Sequence, residues 1–149
     1  MKKVISLFAV LAMASCGTPK FYAYHLQNLP RTEQGTIFLE TTGLGSSEDA
    51  AYNDAAASAF NAILFKGIPG SVQPAPMIDN ETKAREEHKQ VIECFRSFDC
   101  YSKFVAQSDK IGLPVKGRDG TSVVLRIKIN LRTLRTYLEQ NSVTRQFGL

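Results

Sequence analysis

Thr121-Ser122-Val123-Val124-Leu125-Arg126-Ile127-Lys128-Ile129-Asn130 alternates apolar and polar side chains more cleanly than any other stretch of the chain. On an extended backbone Val123, Leu125, Ile127 and Ile129 face one way, and Val124, Arg126, Lys128 and Asn130 the other. One dry face and one wet face predict a strand of an antiparallel sheet, because strands of parallel sheets are buried on both faces. Directly upstream, Gly117-Arg118-Asp119-Gly120 supplies a hairpin turn with glycine where positive φ is needed, and residues 102–116 before it are extended in character. Downstream, Asn130 caps a helix whose apolar positions are Leu131, Leu134, Tyr137 and Leu138. Residues 143–149 form a short tail with apolar side chains.

The strand that opens the domain lies far upstream. Thr36-Ile37-Phe38-Leu39-Glu40-Thr41-Thr42 is rich in β-branched and aromatic residues and stops at Gly43-Leu44-Gly45, which reads as a strand. Ser46 stands three residues ahead of Asp49 in a box-like helix start, and Glu48 and Asp49 put negative charge at the positive end of the helix dipole. The helix that follows runs for about 20 residues, with Ala51, Ala55, Ala59 and Ala62 recurring at helical spacing beside Phe60, Ile63 and Leu64. Lys66-Gly67 and Pro69 close it. Such an alanine face lets a helix lie close to a sheet. Two glycines before a helix also suggest a phosphate-cradling turn. The third glycine of a dinucleotide fingerprint is missing, however, and Glu48 and Asp49 would repel phosphate, so a close strand-to-helix turn is the preferred explanation.

Residues 68–80 hold Pro69, Pro74 and Pro76 and form an irregular surface excursion. Asn80 or Asp79 then caps a second helix over residues 81–95, with Val91, Ile92 and Phe95 as its apolar stripe. Strand, helix, helix, strand, strand, helix predicts a small α+β domain: an antiparallel sheet of about three strands with helices packed on one face.

The N-terminus has a different organisation. Met1-Lys2-Lys3 is followed by a short apolar run, residues 4–13, that ends at Ala14-Ser15-Cys16. A helix that spans the hydrocarbon needs about 20 apolar residues, so this segment reads as a cleaved secretory signal. Leu11-Ala12-Met13-Ala14-Ser15-Cys16 resembles the bacterial lipobox, with Met13 where leucine is usual. That resemblance implies cleavage before Cys16 and attachment of diacylglycerol to its thiol; the alternative is an ordinary signal with Cys16 incidental. Residues 1–15 are then a signal peptide, 16–34 a lipidated tether and 35–149 the single domain. Fully extended, the tether spans roughly 60 Å, although Phe21, Tyr22, Tyr24 and Leu26 could instead dock on the domain or on a partner. In the lipobox context Gly17, where aspartate would favour inner-membrane retention, implies anchoring in the outer membrane facing the periplasm.

Losing 15 of 149 residues would leave 134, and losing Lys2 and Lys3 with them would lower the formal charge from +4 to +2. That is enough chain for one domain with a real core. The densest basic stretch, Arg126, Lys128, Arg132 and Arg135, is spread over a strand and a helix without interleaved aromatics, so it reads as a solvated face and nucleic acid is not an expected partner. Of three cysteines, assigning Cys16 to lipid leaves Cys94 and Cys100 in an oxidising compartment, where a disulfide is the leading reading and two reduced thiols the alternative. Residues six apart on a continuous helix are separated by about 9 Å of rise. A disulfide therefore requires a helix break between them, at Ser97-Phe98-Asp99. His25 and His88 lack ligand spacing with the cysteines, so no zinc site is expected.

No nucleophile elbow, metalloprotease motif, P-loop or cysteine–histidine pairing occurs in the chain, and Glu86-Glu87 are surface neighbours that do not converge. The expectation is a protein that is not an enzyme and carries no cofactor. Gly43-Leu44-Gly45-Ser46-Ser47-Glu48-Asp49-Ala50, the alanine-rich helix to Lys66-Gly67 and the late strand and helix resemble small bacterial envelope lipoproteins related to the N-terminal domain of flagellar outer-membrane assembly proteins. The pattern spans most of residues 35–139; the proline-rich excursion and the cysteine pair depart from it. Lipoproteins of type VI secretion membrane complexes are similar in plan. The resemblance implies a non-enzymatic subunit of an envelope complex, anchored by its lipid and in contact with other envelope proteins. The alternative is a free-standing binding module for a small molecule or cell-envelope polymer. The first expects an apolar or aromatic patch and the second a pocket with convergent polar groups.

Overall fold

The computed structural model describes residues 26–29 and 33–145. Cys16, the signal segment, the aromatics of residues 21–24 and the last residues, 146–149, lie outside the described residues. In chain order the elements are β1 (Leu26–Asn28), β2 (Thr36–Gly45), α1 (Glu48–Phe65), α2 (Glu81–Glu87), α3 (Lys89–Cys94), α4 (Phe98–Tyr101), a 3-10 turn (Ser102–Phe104), β3 (Val105–Gly117), β4 (Gly120–Asn130) and α5 (Leu131–Gln140). The fold is α+β, with one antiparallel sheet of strand order β1-β2-β4-β3.

β4 sits at the centre of this sheet, and its alternation is complete: every second residue from Thr121 to Ile129 is buried. Leu125, Ile127 and Ile129 meet Ile37 and Leu39 of β2 on the helix-covered face, where α1 contributes Ala55, Ala59 and Ile63 and α5 contributes Leu134 and Leu138; Val123 is buried on the same face. Each fully buried Leu, Ile or Phe side chain stabilises the fold by roughly 1.5–3 kcal/mol. The opposite face carries the charged pairs, Arg126 with Glu40 at 2.9 Å and Lys128 with Glu33 at 2.5 Å, and one buried ring, Phe38, opposite Lys128.

The sheet has four strands, not three. β1 lies in the stretch expected to be tether, with Leu26 opposite Thr41 and Asn28 opposite Leu39. Three residues carry no readable period, so their strand state comes from the ladder that β2 offers. The helices also differ from expectation. The span 81–95 breaks at His88 (φ −123°, ψ 33°) into α2 and α3. α2 buries only Ala84, whereas Ile92 and Phe95 are buried; the two halves thus turn separately, and only the second brings its apolar stripe to the core. α4 is an additional turn of helix absent from the expected order.

α1 lies unusually close to β2. A Cβ on Gly43 would overlap the Ala51 carbonyl and the Ala55 amide, and one on Gly45 the backbone of Ala50 and Ala51. The Thr41 hydroxyl, fully buried, donates to the Ala55 carbonyl at 2.9 Å, tying strand to helix at the same level. The helix N-cap is Ser47, which accepts from the Ala50 amide at 3.2 Å, in place of Ser46. β2 pairing reaches Gly45, which moves the start of the helix one residue on. At the other end the Met77 and Ile78 amides donate to the Ile63 and Leu64 carbonyls. The proline-rich excursion therefore satisfies carbonyls that a helix C-terminus leaves unpaired.

Candidate functional site

Most surface helices turn a charged face to water. α1 does not: from Ala50 to Phe65 its sole charged residue is Asp54, and none of these residues is fully exposed. Its outward face presents Ala50, Asp54, Ala57 and Asn61, recessed between Leu26 on one side and Ile92 and Phe95 on the other. The resulting groove has a volume of about 710 Å³.

The polar groups of the groove are fixed from behind. The Asn53 Oδ1 accepts from the Tyr101 hydroxyl at 2.6 Å. Burial, and secondarily the nearby Tyr52, push the Tyr101 phenol well above its ordinary range, so it stays protonated and donating. Asp54 Oδ2 accepts from the Leu44 amide at 3.0 Å, which occupies this carboxylate with the end of β2. Asn61 Oδ1 accepts from Arg85 Nη2 at 3.0 Å; the same guanidinium pairs with Glu81 at 2.7 Å and lies 4.6 Å from the Phe65 ring centroid. Lys66 and Arg96, both exposed, complete the rim and make no ion pair with a described residue.

A second hollow of about 450 Å³ opens where the first half of α1 faces β3, lined by Asp49, Tyr52, Phe98, Ser108 and Lys110. The Tyr52 hydroxyl donates to Ser108 Oγ at 2.7 Å, and Phe98 is 53% exposed. Lys110 is hydrogen-bonded to Glu48 at 2.5 Å, which raises its pKa.

A third feature is apolar. β3 is an edge strand, and its register with β4 slips between Ile111 and Val115. Gly112 turns there with φ 71°. The slip pushes Leu113 out to 89% exposure and leaves Val115 at 67%, an apolar ridge on the edge of the sheet; a second shift, between Val105 and Gln107, lies at the start of the strand.

Of the residues singled out from sequence, Cys16 lies outside the described residues. Cys94 and Cys100 are joined as a disulfide, their Cα atoms 5.4 Å apart, across the break between α3 and α4. Cys94 Sγ lies 3.8 Å from the Tyr137 hydroxyl of α5. Glu86 and Glu87 are exposed and His88 is half-buried. Among the described residues no three His, Cys, Asp or Glu side chains gather as a metal site would require. No helix among the described residues is long and apolar enough to cross a membrane. Sequence reasoning missed the outward face of α1. Its signal was present in the near absence of charge between Ala50 and Phe65, but the walls that make it a groove come from residues 26 and 92–96, distant in sequence. Compared with protein-family models, with curated proteins and with solved structures, the chain matches none of them.

Proposed function

We propose that the chain is the precursor of a lipid-anchored structural subunit of a multiprotein envelope complex, held in the outer membrane through Cys16 and facing the periplasm. The specific candidate is a secretion complex of the type VI kind. The anchor rests on the lipobox-like Leu11-Ala12-Met13-Ala14-Ser15-Cys16. The observation that carries the assembly role is the ridge of Leu113 and Val115 on the edge strand, 89% and 67% exposed. Protruding apolar groups on a sheet edge invite association, and a partner that covers them turns that liability into an interface. In this role the protein supplies placement and contact surface, without catalysis.

The test is gentle detergent extraction at native expression, followed by identification of co-purifying proteins. Other envelope proteins are expected with the wild type and are expected to be lost from a Leu113→Asp/Val115→Asp variant. Recovery of the wild-type protein alone would overturn the subunit reading.

One observation favours a second reading, that of a free-standing binding module: the hollow beside Tyr52 and Phe98 combines exposed ring surface with Asp49, Ser108 and Lys110. Aromatic faces with a few polar groups suit a small molecule or a sugar of a cell-envelope polymer. Calorimetric titration with soluble peptidoglycan fragments separates the two, because saturable binding by a protein that purifies alone selects the module.

A further inference from the structure

We infer that the recessed outward face of α1 is a receptor groove for an extended, acidic segment of a partner polypeptide. The inference rests on the reading of the chain as a subunit that contacts other envelope proteins, and it concerns a surface separate from the β3 ridge.

Three observations converge on this ligand. First, the floor is built for close approach: Ala50, Ala57 and Ser58 are small, and Asp54 is engaged by the Leu44 amide. A backbone can settle there without displacing a charged side chain. Second, Asn53 and Asn61 are held through their carbonyl oxygens by Tyr101 and Arg85. Each therefore has its Nδ2 hydrogens left to donate. Eight residues of helix put about 12 Å of rise and a turn of about 80° between the two positions, so Asn61 lies on the outward face and Asn53 at the groove's edge, where it also lines the second hollow. Carbonyls on one side of an extended chain recur about every 6.6 Å, so an extended segment along α1 presents carbonyls to the Asn61 amide on the outward face and to the Asn53 amide at the edge. Third, charge gives the ligand its sign and direction. Lys66, just past the C-terminal end of α1, and Arg96, on the wall beside Phe95, have no ionic partner among the described residues, while Glu48 and Asp49 stand at the N-terminal end of the helix. The acidic end of the segment lies against Lys66 and Arg96.

The experiment uses the full-length lipidated protein in detergent, probed against an array of random decapeptides graded from strongly acidic to strongly basic. Acidic peptides are expected to be retained. Ala57→Gln, which fills the floor without changing its charge, is expected to weaken retention about tenfold or more, in line with loss of the segment's close seat and its hydrogen bonds. Lys66→Glu/Arg96→Glu lies at exposed positions, leaves packing intact and is expected to invert the charge preference; thermal melts of both variants establish that they are folded. Retention without charge preference, or retention indifferent to both variants, would overturn the inference. So would retention of chitohexaose in place of peptides with the same sensitivity to Ala57→Gln, which would make the groove a glycan site. The subunit reading is tested separately: acidic-peptide binding by a protein that extracts alone leaves the groove standing and removes the complex, and co-purification unaffected by the groove variants does the reverse.

Discussion

Gly43 and Gly45 fix the distance between α1 and β2, because any side chain there meets helix backbone that cannot rotate away. Gly43→Ala is expected to destabilise the protein by about 2–3 kcal/mol through overpacking, read as a lower urea midpoint with an unchanged slope. Tyr101 makes a different kind of residue-level statement. Burial raises its phenol pKa in the folded protein, so the folded state holds the proton more tightly than the unfolded chain, whose tyrosines titrate near ~10. Stability from this group is fully present below that pH and is lost as pH rises above it. Alkaline unfolding followed by circular dichroism should steepen past pH ~10, and Tyr101→Phe should flatten that decline while costing about 1 kcal/mol at neutral pH for the lost bond to Asn53. The glycines were legible in the sequence as a close strand-to-helix turn. Tyr101 was not, since its partner Asn53 is 48 residues away and no local pattern links them.

Between Cys94 and Cys100 the chain leaves one helical turn and enters another. A bridge that closes so short a loop stabilises by roughly 2 kcal/mol in the chain-entropy account. Cys94→Ala/Cys100→Ala is therefore expected to lower the melting temperature by several degrees while leaving the sheet intact, and mild reduction of the wild type should reproduce the shift. At the start of α1, Ser47→Ala should cost about 1 kcal/mol by unpairing the Ala50 amide, whereas Ser46→Ala should be close to neutral; paired denaturation curves distinguish the two caps. Elements were legible in proportion to their period. β4 alternates over its whole length and α5 repeats its leucines at helical spacing, and both ended within a residue or two of expectation. The break at His88 was not legible, because no glycine or proline marks it; the need to bury Ile92 and Phe95 sets it.

On the proposed reading as a lipid-anchored subunit, the consequences for the molecule as a whole are placement and contact. Cys16→Ala is expected to move the protein from the membrane pellet to the soluble periplasmic fraction, and persistence in the pellet would defeat the lipid anchor. Leu113→Asp/Val115→Asp should change stability by less than about 0.5 kcal/mol, since exposed positions away from packed features contribute little, yet remove co-purifying proteins. By itself the sequence determined the α+β class, the helix-covered and wet faces of the sheet and the close seat of α1, because periodicity, glycine and alanine spacing act locally and leave a mark on neighbouring residues. Tertiary structure alone decided the rest. β1 exists through pairing with β2, the groove on α1 through walls brought from residues 26 and 92–96, and the Leu113 ridge through a slip of register against β4. Each of these depends on which distant segments meet, and that is settled by packing of the whole core and not by any short stretch of the chain.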